Sequence, residues 1–249
     1  MDDINYIEFL LKRHFSTVAK SGKYLWLASD SEKNFNLHKE QLSFYIDNPI
    51  EYNINKQFFR SEFDFDVNRN LEVDLYLGCS HTFGFGHLWK HSWPYLVSQH
   101  TNNTIINLGV NGAGTEMAYI NLKKYIDRFD VKNVFHYQPI YPRFYYFKGG
   151  HYSIHADKPA KSWNSYGPYG EETVKYYFTK EEIILHNHTK HIDGCRGICS
   201  QRGINYYHIH DEPQYEKIGI KIPARDRKHR SNRYLKALAR DFIKMMEGE

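Results

Sequence analysis

A chain of 249 residues, 41 % of them hydrophobic, holds enough apolar material for one sizeable core, and α/β folds of this length are commonly undivided. Its net charge of +4 is mild and its acids are spread through every segment, which argues against a nucleic-acid partner; the basic cluster Lys221, Arg225, Arg227, Lys228, Arg230 and Arg233 reads as a solvated loop. No apolar run approaches the roughly 20 residues of a membrane span. The start, Met1-Asp2-Asp3, lacks a signal-type hydrophobic stretch, and three cysteines (Cys79, Cys195, Cys199) suggest no disulfide framework. The expected location is therefore the cytoplasm, a reading compatible with release by lysis or carriage on a particle.

Along the chain, residues 4–18 carry Ile7, Leu10, Leu11 and Phe15 on one side of a helix. With the mixed stretch that follows, residues 1–70 are expected to form a helical extension packed on the core. Residues 71–249 then make the main domain. Apolar runs at 73–77, 104–108, 131–137 and 204–209 predict strands, and segments 93–100 and 116–129 between the first three predict helices. Strands alternating with helices imply a parallel sheet covered on both faces. The pattern breaks from about 139 to 178, an insertion dense in Tyr, Pro, Gly and His, and returns to helix over 179–201. The tail, 231–246, places Tyr234, Leu235, Leu238, Phe242 and Ile243 at helical spacing.

Three stretches carry chemistry. The first strand runs into Gly78-Cys79-Ser80-His81-Thr82-Phe83-Gly84, and a small-Xaa-Ser step at a strand end lifts the hydroxyl out of the sheet. The second strand runs into the glycine-rich turn Gly109-Val110-Asn111-Gly112-Ala113-Gly114. Ligands of open parallel sheets sit beyond these carboxyl ends. Far downstream, Asp226-Arg227-Lys228-His229 supplies an acid and an imidazole just before the last helix. A serine needs a neighbouring base to take its proton during attack, and an acid to orient that base.

Other readings of these residues are weaker. A dinucleotide turn expects an acid about 20 residues further on, at the next strand end, where this chain has Tyr137-Gln138-Pro139. His186, His188, His191, Cys195 and Cys199 fall on one helix, whereas structural zinc sites draw ligands from tight turns of several elements. They read as a packed helix face, with no metal. Cys79 reads as a small buried residue behind the serine turn.

Together the three blocks resemble the SGNH (GDSL-type) hydrolase family over roughly residues 50–245. Gly78-Cys79-Ser80 is similar to its Gly-Asp-Ser block, Asn107-Leu108-Gly109 to its second block, and Asp226-Arg227-Lys228-His229 to its last. The segments Tyr52-Asn53-Ile54-Asn55 and Phe59-Arg60-Ser61-Glu62 look like a lead-in of some members. The resemblance implies a three-layer α/β/α fold with a parallel, flavodoxin-like sheet. It implies Ser80 as nucleophile, His229 as base, Asp226 as its orienting acid, and the N–H groups of Ser80 and Gly112 as oxyanion donors. No cofactor is implied. The expected substrate is an ester, of a carbohydrate or another polar molecule; an acyltransferase, or a binding module that keeps the fold without turnover, are the alternatives.

Two departures stand out. Cys79 replaces the family's aspartate, which is no triad member. His136-Tyr137-Gln138-Pro139 replaces the Gly-Xaa-Asn-Asp block, so the oxyanion asparagine is absent. Gln138 could offer an amide from one carbon further away, and Asn111 could lean in from the second loop. Arg143 is expected to hold either a substrate carboxylate or an internal acid such as Glu62. The aromatic residues of the insertion, among them Tyr145, Tyr152 and Trp163, suit a sugar or simply pack the insertion down.

Overall fold

In the computed structural model, which describes residues 20–65, 71–138, 143–147, 151–155, 181–210 and 222–249, the chain begins with short elements. These are β1 (Gly22–Tyr24), α1 (Glu32–Leu37), α2 (Phe44–Asp47) and β2 (Tyr52–Ile54), with β1 and β2 paired antiparallel. The main domain follows as β3 (Glu72–Leu77), α3 (Ser80–Phe83), α4 (Trp93–Thr101), β4 (Thr104–Asn107), α5 (Thr115–Tyr125) and β5 (Asp130–Gln138). A hairpin, β6 (Arg143–Phe147) and β7 (His151–His155), precedes α6 (Glu181–Gln201), β8 (Asn205–His210) and α7 (Asn232–Glu247).

Strands β4, β3, β5 and β8 lie side by side in that order, all parallel. The inner strands are β3 and β5, and the residues of β3 from Val73 onward are all buried. A strand covered on both faces can be mostly apolar, and the sequence of β3 is so apart from the buried Asp74, whose Oδ1 accepts from the amides of Asn103 (3.0 Å) and Asn133 (2.8 Å). Alternate residues of β5 show the two covering layers. Phe135 meets Phe242 of α7 at 5.5 Å between ring centroids, and the hydroxyls of Tyr137 and Tyr234 lie 2.8 Å apart. On the other face His136 and Gln138 meet Tyr206 and residues of α6.

The helix pairs pack by simple means. Trp93 of α4 stacks on Phe242 of α7 at 4.7 Å, and Gly194 of α6 admits the ring of Tyr119 of α5, where a Cβ would stand only 2.7 Å from the ring. Ser92 and Ser231 cap α4 and α7 through their hydroxyls, each satisfying an orphan N–H of the first turn. The result is the three-layer α/β/α arrangement expected from the sequence.

Element ends differ from expectation by a residue or two, with one larger change. The helix expected over 116–129 ends at Tyr125 and tightens into a 3-10 turn, Ile126–Arg128. The expected opening helix at 4–18 and most of the aromatic insertion lie outside the described residues. Among the described residues no helix is long and apolar enough to cross a membrane.

Candidate active site

The serine turn is built by a glycine that no other residue can replace cheaply. Gly78 takes φ +146°, and a Cβ there would stand 2.3 Å from Thr82 Oγ1 and 2.6 Å from the carbonyl of Tyr137. Cys79 is extended and wholly buried, and Ser80, 5 % exposed, opens α3. The wholly buried Asn107 stitches this turn to the second loop. Its amide donates to the carbonyl of Thr82 (2.9 Å) while its Oδ1 accepts from Gly109 N–H (2.9 Å). Val110 N–H adds a 3.0 Å bond to the carbonyl of Gly78. Asn111 and Gly112 follow, half-buried, with Gly112 at φ +77°.

The downstream pair is assembled. His229 Nδ1 lies 2.6 Å from Asp226 Oδ2. Oδ1 accepts from the backbone N–H groups of Lys228 (3.1 Å) and His229 (3.2 Å), a local turn that the Asp-Xaa-Xaa-His spacing makes available. Burial pushes the Asp226 carboxyl up, but the hydrogen bond and charge of His229, the hydroxyl of Ser29 and the Lys228 N–H outweigh it, leaving the pKa lowered to about 2. A carboxylate held ionised can only accept, so Nδ1 carries the proton and Nε2 presents its lone pair.

The imidazole approaches the serine turn through its neighbours. Its ring lies 5.1 Å from that of Phe85 and 5.5 Å from that of His81, the residue after Ser80. No hydrogen bond joins the Ser80 hydroxyl to His229 in this arrangement. Catalytic hydrogen bonds are often long in unliganded sites and tighten when substrate binds.

What brings the two loops together is the segment 20–65, which the sequence reading gave only as part of an extension packed on the core and as a lead-in to the serine block. Gly86, at φ +73°, donates its N–H to Tyr52 (2.9 Å) and accepts from Arg225 N–H (2.8 Å). Tyr52 in turn donates to Asp30 (2.5 Å), and burial beside that carboxylate raises its pKa far enough to keep its proton. Asp30 takes the Arg225 guanidinium in a two-pronged ion pair at 2.7 and 2.8 Å. Tyr45 donates to the carbonyls of Pro223 (2.7 Å) and Gly86 (3.2 Å). Arg60, 2 % exposed, donates to the carbonyls of Gly84 (2.5 Å) and His87 (3.0 Å). Burial lowers its pKa to about 10, which still leaves it charged at neutral pH.

Gln138 has its amide engaged by histidines of α6 and β8. Strand β5 runs one residue further than expected, so strand alternation turns Gln138 to the α6 side with His136. Its Oε1 accepts from His208 Nε2 at 2.8 Å, and its amide nitrogen meets His188. His188 also reaches Thr115 Oγ1 at 3.3 Å. Burial lowers His188 and His208 to about 4, and lowers His136 strongly, so all three are neutral at neutral pH. The remaining polar residues of α6 part ways: Cys195 and Cys199 are wholly buried in the core, while His186 is exposed. Arg143 opens β6 opposite His155, and its side chain lies outside the described residues.

No family model and no curated protein matches this chain. Solved structures that align with it include a protein described as lipolytic, of the G-D-S-L family, from Desulfitobacterium hafniense DCB-2, at 10 % identity and TM-score 0.33, covering 72 % of this chain and 99 % of that one. A carbohydrate acetylesterase family member from Sinorhizobium meliloti aligns at 11 % identity and TM-score 0.32, covering 72 % and 100 %.

Proposed function

We propose that this chain is a serine hydrolase that cleaves an ester, with a carbohydrate or similar polar molecule as the alcohol side. The observation that carries this reading is the 2.6 Å contact between His229 Nδ1 and a carboxylate that is 1 % exposed and held ionised. That contact fixes the tautomer whose Nε2 accepts a proton, on a ring packed against the loop that carries Ser80.

In the proposed reaction Ser80 Oγ attacks the acyl carbon as His229 Nε2 takes its proton. The ester oxygen then leaves as the alcohol, protonated by the same imidazole. Water adds to the acyl-serine along the reverse route, giving the free acid and restoring Ser80. Asp226 stays ionised throughout and stabilises the imidazolium. The negative charge on the carbonyl oxygen falls to the N–H of Ser80 and the second loop at Gly112, with the Asn111 amide as a side-chain candidate. Each such donor is worth about 3–4 kcal/mol.

A non-catalytic module has one observation on its side: the Gln138 amide is already engaged by His208 and His188. A hole one donor short loses on the order of 10²–10³ in rate. Hydrolysis of p-nitrophenyl acetate by the purified chain and by Ser80→Ala separates the two. The hydrolase reading expects turnover that the alanine variant lacks; equal rates from both would discard it.

A further inference from the structure

Residues 27–30 form a tight turn closed by two backbone bonds of 2.9 Å, Leu27 N–H to the Asp30 carbonyl and Asp30 N–H to the Leu27 carbonyl. Ala28 adopts φ +46° within it, a conformation that L-residues take at a cost. Two consecutive residues of this turn hold two consecutive residues of the acid–base loop. Asp30 binds the Arg225 guanidinium, and the Ser29 hydroxyl donates to Asp226 Oδ2 at 2.8 Å across 197 positions of sequence. Asn34 adds a 3.1 Å bond to the carbonyl of Asp226.

The four donors on the Asp226 carboxylate are not equivalent. The N–H groups of Lys228 and His229 and the Nδ1–H of His229 all belong to the same short turn as the carboxylate. They tie Asp226 to His229, but they do not tie the pair to the rest of the protein. Ser29 is the donor anchored outside that turn. We propose that Ser29 is a positioning residue for the acid–base pair: sharing Oδ2 with His229, its hydroxyl holds the carboxylate at the angle from which it aims the imidazole at Ser80. The role rests on the triad proposed above. Without the hydroxyl, Oδ2 keeps one donor in a nearly dry site, and the carboxylate is held only by donors of its own turn, so carboxylate and imidazole shift together.

The test uses the full chain with Ser29→Ala, Ser29→Thr and Ser80→Ala, their folding checked by thermal melting. Two readouts are taken: kcat and KM on p-nitrophenyl acetate, and the far-downfield proton resonance of the His229 Nδ1–H. Ser29→Ala is expected to lower kcat about tenfold, the scale of one hydrogen bond to a charged group. KM stays within about twofold, the resonance moves, and Ser29→Thr restores both. The proposal is overturned if Ser29→Ala leaves kcat and the resonance unchanged, or if the threonine hydroxyl restores neither. Should Ser29→Ala not fold, Ser29→Cys, which keeps the volume and weakens the donor, is held to the same outcomes. If Ser80→Ala hydrolyses as fast as the natural chain, the hydrolase reading falls, and the resonance alone still decides whether Ser29 sets the pair.

Discussion

The N–H of Arg225 donates a 2.8 Å hydrogen bond to the carbonyl of Gly86, joining the loop behind Ser80 to the loop that carries Asp226 and His229. The contact needs a glycine. A Cβ at position 86 would stand 3.0 Å from Ala224 Cβ and 3.1 Å from Asp226 Oδ1, and the backbone there is left-handed at φ +73°. Gly86→Ala is therefore expected to destabilise the fold by about 1–3 kcal/mol from backbone strain. Its loss of esterase activity should exceed that of an equally destabilising core substitution elsewhere, because the displaced atom is the Asp226 carboxylate. Urea unfolding and kcat, measured side by side, check this.

Asp30 and Arg225 form an ion pair whose side chains are 1 % and 2 % exposed. Taking both charges out of water is costly, and the pair survives because Tyr52 also donates to Asp30 and the Trp26 ring lies 3.9 Å from the guanidinium. Removing only one partner leaves the other charge buried and unpaired. Asp30→Ala should cost about 3–5 kcal/mol, read as a fall in the urea midpoint. A change under about 1 kcal/mol would mean that water reaches Arg225, contrary to the burial seen here.

Acid should unfold the protein in two windows. His87 is wholly enclosed, its Nε2–H bonded to the Arg230 carbonyl, and burial lowers it from 6.5 to about 3. His136, His188 and His208 are lowered by burial as well. As pH falls below about 6.5 the unfolded chain takes up protons that the folded chain refuses, so stability drops with pH. The slope is about 1.4 kcal/mol per pH unit for each wholly buried histidine, and less for the half-buried His188 and His208. Asp226 acts lower. Its folded pKa is depressed from 3.8 to about 2, so the stability it contributes is complete above the unfolded value and is lost as pH falls through about 2. Melting temperatures should hold between pH 7.5 and about 6.5 and fall from there to pH 4.5, and His136→Gln should flatten that fall.

How much of this was legible in the sequence depends on whether a signal is local. Strand β3 was readable because burial on both faces permits a mostly apolar run, broken only by Asp74, and α7 because its buried residues recur at helical spacing. The Asp226–His229 contact was readable because only two residues separate the partners and the turn closes on itself. Ser29, Asp30, Tyr52 and Arg60 were not, since their partners lie tens to hundreds of positions away with no period to betray them. Gln138 shows the finer limit. One further residue of β5 decides which face its amide takes, and strand ends are the least readable feature of a sequence.

The account stands or falls on Ser80 being made nucleophilic by His229, and a fluorophosphonate probe followed by peptide mass mapping measures this most directly. The natural chain should carry the adduct on Ser80, while Ser80→Ala and a folded His229→Ala stay unlabelled. An unlabelled natural chain, or equal labelling of Ser80 without the imidazole, would contradict it.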